Sequence, residues 1–95
     1  MHFIISEIVE KTGGRLVRGE QNTIINGVST DSRTLVAGDL FVAIIGKNFD
    51  GHDFVSQAKQ NGAIGAVVSK ASEISFSVVI EVRDTLVAYG EIANL

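Results

Sequence analysis

Apolar positions follow two rhythms along this chain, and the change between them predicts its elements. Ile5, Ile8, Val9 and Thr12 fall on one face at helical spacing, which predicts a helix over residues 5–12. Ser6 stands as its N-cap, Glu7 and Lys11 as an i,i+4 pair, and Gly13-Gly14 as its stop. A short strand over 15–19 and a polar turn at Glu20-Gln21-Asn22 follow. Residues 23–29 read as a strand with a turn or bulge at Asn26-Gly27, a pair that accepts positive φ.

Further on the pattern becomes unbroken. Leu40 to Ile45, Ala63 to Val68 and Phe76 to Val82 are short apolar runs bounded by turn signals, as expected of strands buried on both faces. Between the first two, His52 to Asn61 reads as a helix with Phe54, Val55 and Ala58 on its apolar face and Asn61-Gly62 as its end. Phe41 and Phe54 are assigned to the core. A loop is expected over 69–75. Asp84 caps a last helix from Thr85, with Leu86, Tyr89, Ile92 and Ala93 inward. Strands alternating with helices predict an α/β fold: a small, mainly parallel sheet with helices against it and the early β segments as a hairpin or edge.

Composition narrows the function. The 95 residues make one domain with a modest core. The last helical pattern stops at Asn94-Leu95 without a cap or polar tail, so the expectation is a piece of a longer protein. No apolar run reaches the length of a membrane span, and the N-terminus lacks the basic lead of a secretory signal. A net charge of −3 with scattered basic residues argues against a nucleic-acid surface. With no cysteine and two distant histidines, a metal site has little to build from, and a reducing compartment fits.

Candidate chemistry gathers where strands meet loops. Ser29-Thr30-Asp31-Ser32-Arg33 combines hydroxyls with a charge pair, and Gly46 to Gly51 is a polar, glycine-punctuated loop before a helix. The hydroxyls can bind a ligand, but taken alone they better suit a turn that satisfies its own backbone. Asp31 and Arg33 read as a structural pair that braces their loop. Lys47 by itself is an ordinary surface charge. Asp50 and His52 suit the free N–H groups of the following helix, and no nucleophile stands near His52 to make it a catalytic base. A P-loop would need Gly, four residues, then Gly-Lys-Ser/Thr, whereas Gly46-Lys47 is followed by Asn48 and the position five before Gly46 is Phe41.

Ser29-Thr30-Asp31-Ser32-Arg33, Gly38-Asp39-Leu40-Phe41-Val42-Ala43, Gly46 and Phe49-Asp50-Gly51-His52-Asp53-Phe54, in this order and spacing, resemble the N-terminal domain of the Mur ligases. These are ATP-dependent amide-forming enzymes of peptidoglycan precursor assembly, cytoplasmic and bacterial. The resemblance is greatest, in the block 49–54 and the tail 84–93, to the MurF type, which adds D-alanyl-D-alanine to UDP-N-acetylmuramoyl-tripeptide. The MurE type, which adds the third residue, is the nearest rival. A free-standing α/β interaction domain is the alternative of another class.

The resemblance implies a domain that holds the UDP end of the UDP-N-acetylmuramoyl-peptide. Carried over by position, the contacts are Thr30 and Ser32, then Lys47, Asn48 and Phe49, with Asp31, Arg33, Asp50 and His52 in support and no catalytic residue. The triplet 47–49 varies between types. ATP, magnesium and D-Ala-D-Ala belong to other domains of the complete ligase, so this chain alone is expected to be inactive.

Overall fold

A computed structural model describes residues 2–71 and 74–95. Strand β1 (Phe3–Ile4) runs directly into helix α1 (Ile5–Thr12), and Gly13 ends that helix at φ 67°. Strand β2 (Arg15–Arg18) follows, then β3 (Ile24–Ile25) and β4 (Val28–Ser29). Strand β5 (Leu40–Val42), a 3-10 turn (Gly51–Phe54) and helix α2 (Val55–Gln60) come next. Strands β6 (Gly65–Val68) and β7 (Val78–Glu81) lead to helix α3 (Thr85–Ala93). The expected loop over 69–75 includes residues 72 and 73, which lie outside the described ones.

The main sheet has the order β2-β7-β6-β5-β4. Strands β4 to β7 pair in parallel, and β2 closes one edge antiparallel to β7. The mainly parallel sheet and the early β edge are as the sequence predicts. The sheet is buried on both faces because side chains alternate across each strand. Leu40, Val42, Val67, Val78 and Ile80 join Ile5, Ile8, Ala88 and Ile92 on one face. Phe41, Ala43, Ala66, Val68 and Val79 join Val55, Ala58 and Phe76 on the other. Helices α1 and α3 therefore cover one side, and α2 covers the other.

Several expectations change in detail. Ser6 is not the N-cap: Ile4 is, and Glu7 accepts its N–H at 2.9 Å. Glu7 is thereby committed to the cap and forms no ion pair with Lys11 within 4.0 Å. Asn26-Gly27 is no positive-φ bulge in a single strand. It is where the chain changes sheet, since β3 pairs with β1 while β4 joins the main sheet.

The strands are also shorter than their apolar runs. After β5 the Ala43 N–H still reaches Val67 at 3.0 Å, but Ile44 N–H turns back to Val42. Ile45 then pairs with Asp50 across the loop.

Helix registers account for the remaining corrections. The Asp50 carboxylate accepts the His52 N–H two residues on, and the first turn tightens to 3-10. This rotates Phe54 out of the core to 43% exposure, while Phe41 is buried as expected. Asp84 does cap α3, accepting from the N–H groups of Leu86 and Val87. The inward face is Thr85, Ala88 and Ile92. Leu86 is 59% exposed, Tyr89 is half-buried and Ala93 is exposed. Thr85 and Ala88 are buried on the face of α3, and α3 packs against α1.

Candidate functional site

The carboxyl ends of parallel strands are where open α/β sheets hold ligands. Here β4 and β5 end side by side, so the loop after Ser29 and the loop after Val42 emerge together. Between them and α2 lies a cavity of about 340 Å³, within the size range of small-molecule sites. Thr30, Asp31, Ser32, Arg33, Phe49, Gly51, Phe54 and Gln57 line it.

Each loop is held by specific bonds. Ser29 Oγ accepts the Asp31 N–H at 3.1 Å, so this hydroxyl serves the turn. Asp31 Oδ1 accepts the Arg33 N–H at 2.8 Å, and the Arg33 guanidinium meets the same carboxylate through Nε and Nη2, both at 3.2 Å. The guanidinium lowers the Asp31 pKa from its ordinary value, and the carboxylate raises that of Arg33. The brace expected of this pair is present. Ser32 is buried at 5% exposure, and its hydroxyl donates to Oε1 of Gln57. Asn61 Nδ2 donates to the Ser32 carbonyl at 2.7 Å, so α2 and its end grip Ser32 from two directions.

The second loop folds back on itself. Gly46 N–H donates to the Phe49 carbonyl at 2.8 Å, and Gly51 N–H to the Ile44 carbonyl at 2.8 Å. The Phe49 ring lies over position 46: a Cβ there would stand 2.2 Å from Cε1, so any larger residue would push the ring aside. Behind the loop, His52 Nδ1 meets Asp50 Oδ1 at 2.6 Å, and Ser69 N–H donates to His52 Nε2 at 3.0 Å. The imidazole is therefore read as the Nδ1–H tautomer. Lys70 Nζ bonds Asp50 Oδ2 at 3.1 Å. Led by the bonds from His52, these contacts lower the Asp50 pKa from 3.8 to about 2.

The structure brings together Thr30, Asp31, Ser32, Arg33 and Phe49. Lys47 and Asn48 do not line the cavity; they are exposed at the tip of the loop, whereas the exposed Phe49 ring borders it. Asp50 and His52 face Ser69 and Lys70, behind the cavity wall. Sequence reasoning missed Gly51, Phe54 and Gln57. Their signal was the i,i+3 spacing of Phe54 and Gln57, which puts both on one helical face next to the Gly51 turn.

A family model described as "Mur ligase family, catalytic domain" matches residues 24–94. The chain belongs to the Mur ligase family. Among Mur ligases, the UDP-N-acetylmuramoyl-tripeptide–D-alanyl-D-alanine ligase of Synechocystis sp. is 49% identical over 71 residues, 73% of this chain and 16% of that protein. The ligase of the same name from Escherichia coli is 42% identical over 89 residues, 94% of this chain and 19% of that protein. The crystal structure of MurF from Acinetobacter baumannii superposes with a TM-score of 0.86 at 30% identity, over 96% of this chain and 20% of that one. The chain thus spans about a fifth of the length of the Mur ligases it matches.

A nucleotide triphosphate does not fit these residues in the P-loop manner. Besides the missing motif, the Gly46 N–H that would face a phosphate is committed to Phe49. Among the described residues, no three His, Cys, Asp or Glu side chains gather as a metal site, and no helix is long and apolar enough to cross a membrane.

Proposed function

We propose that this chain is the domain that holds UDP-N-acetylmuramoyl-tripeptide in a cytoplasmic ligase that adds D-alanyl-D-alanine to it. The observation that carries this reading is the convergence of Thr30, Ser32 and Phe49, from two separate segments, on one cavity at the carboxyl ends of β4 and β5. The similarity to ligases named for that reaction supports this choice of substrate. The exposed ring of Phe49 offers a face for a planar base. Thr30 offers a hydroxyl for ribose. The exposed Arg33 keeps guanidinium N–H groups beyond those bonded to Asp31, and these suit a diphosphate. Lys47 and Asn48, at the exposed tip of the Phe49 loop, serve the charged end of a ligand that reaches past the cavity. ATP and magnesium act in the complete ligase through residues outside this chain.

Nuclear magnetic resonance of the nitrogen-15-labelled chain tests the reading. Titration with UDP-N-acetylmuramoyl-tripeptide should move the amides of Thr30, Ser32, Arg33, Phe49 and Gly51. Shifts confined to α3 and β1 would place the ligand elsewhere. An equal response to the dipeptide form would leave the ligase type to the other domains.

A further inference from the structure

The chain carries two Asn-Gly steps, Asn26-Gly27 and Asn61-Gly62. Both hold the connection between β4 and β5. Asn26 Nδ2 donates to the Ala37 carbonyl at 3.1 Å, and Asn61 Nδ2 donates to the Ser32 carbonyl at 2.7 Å. An asparagine before glycine is also open to self-reaction, because glycine puts no side chain in the way of its own nitrogen. Asparagine is accordingly one of the thermolabile residues.

The reaction balances with water as its one co-reactant and involves no oxidation or reduction. The glycine nitrogen loses its proton to base and bonds to the asparagine Cγ. The Cγ–Nδ2 bond breaks, and Nδ2 leaves as ammonia with a proton from water. Water then opens the succinimide ring. Opening at Cγ gives aspartate, and opening at the backbone carbonyl gives isoaspartate, whose main chain runs through Cγ.

The fold treats the two steps differently. Gly62 donates its N–H to the Lys59 carbonyl at 3.2 Å, so the nucleophile there is engaged at the end of α2. The bond from Asn61 to Ser32 is short and part-buried. Asn26 is instead exposed in the bend between β3 and β4, and its bond to Ala37 is exposed with it. Among the described residues, no group accepts the Gly27 N–H.

We propose that Asn26 is a site of spontaneous deamidation, that the fold protects Asn61, and that the product at position 26 loosens the junction between the two sheets. Asn26 N–H donates to the Gly38 carbonyl at 3.1 Å, and the Gly27 carbonyl accepts the Leu40 N–H at 2.9 Å. Isoaspartate lengthens the main chain between these two groups by a carbon, so both bonds cannot keep their places. Aspartate loses the donor to Ala37. Its charge also enters next to buried Asp39, whose Oδ1 lies 3.1 Å from where a Cβ on Gly27 would stand.

The test is incubation of the chain in mildly alkaline buffer, followed by peptide mapping with mass spectrometry that separates aspartate from isoaspartate. In the folded chain, conversion at Asn26 should run about tenfold faster than at Asn61, the upper end for one neutral hydrogen bond that Gly62 must give up. In urea, where the fold is gone, the two rates should converge. The converted fraction, separated by anion exchange on its added charge, should melt about 4–8 °C below the fresh protein. Equal rates at the two steps in the folded chain, a faster rate at Asn61, or no conversion at Asn26 overturns the assignment. A rate difference that persists unchanged in urea overturns protection by the fold. A converted fraction that melts with the fresh protein overturns the loosening of the junction.

Discussion

Ser69 N–H donates to Nε2 of His52 at 3.0 Å, and this bond ties the exit of β6 to the turn that carries the cavity wall. The other ring nitrogen meets Asp50, which caps that same turn. His52 is thus a rivet between two loops, with its side chain 9% exposed. His52→Ala removes the acceptor and leaves a part-buried N–H unpaired. A loss of about 1–3 kcal/mol in unfolding free energy is expected from urea titration. A change within the scatter of surface substitutions would show that Ser69 finds another partner.

Asp50 gives the pH dependence its sign. Its folded pKa lies at about 2, below the ordinary 3.8. A carboxylate with a depressed folded pKa contributes stability above its unfolded pKa, and loses it as pH falls through the folded one. The stability of the wild-type chain should therefore fall between about pH 4 and pH 2 by more than that of Asp50→Asn. Parallel stability curves for the two proteins over this window would contradict the capping role.

Phe54 distinguishes the observed register from the one that hydrophobicity suggests. A core phenylalanine costs about 3–5 kcal/mol on truncation. At 43% exposure, Phe54→Ala should cost about 1 kcal/mol or less and should instead weaken UDP-sugar binding. A large stability loss with unchanged binding would return Phe54 to the core.

Gly51 is packed against the backbone of Ala43 and Ile44, just after β5. A Cβ there would come 2.7 Å from both N and O of Ile44, and backbone yields little. Gly51→Ala should destabilise by about 1–3 kcal/mol and displace the Phe49 loop. A crystal structure of the variant with that loop in place would refute this.

What the sequence made legible was local. The stop at Gly13, the turn with Gly38 at φ 92° closed from Asp39 N–H to the Val36 carbonyl, and the Asp84 cap each depend on a few neighbouring residues. The apolar runs marked the buried strands for the same reason. Rotations of whole helices were not legible. Leu86 and Phe54 look inward by periodicity, yet the packing of α3 against α1 and the 3-10 turn after Asp50 decide otherwise. In the site, Thr30, Ser32 and Phe49 were marked by the resemblance. Gln57 was invisible because its partner Ser32 lies 25 positions away and only the fold joins them.

The central claim is that the cavity between β4, β5 and α2 holds the UDP end of the substrate. Titration calorimetry of this chain with UDP-N-acetylmuramoyl-tripeptide, for the wild type, Ser32→Ala and Phe49→Ala, tests it most directly. The account predicts saturable binding by the wild type, about three- to tenfold weaker for Ser32→Ala and weaker again for Phe49→Ala, with all three folded. Equal affinity in all three proteins, or no binding by a folded wild-type chain, would contradict it.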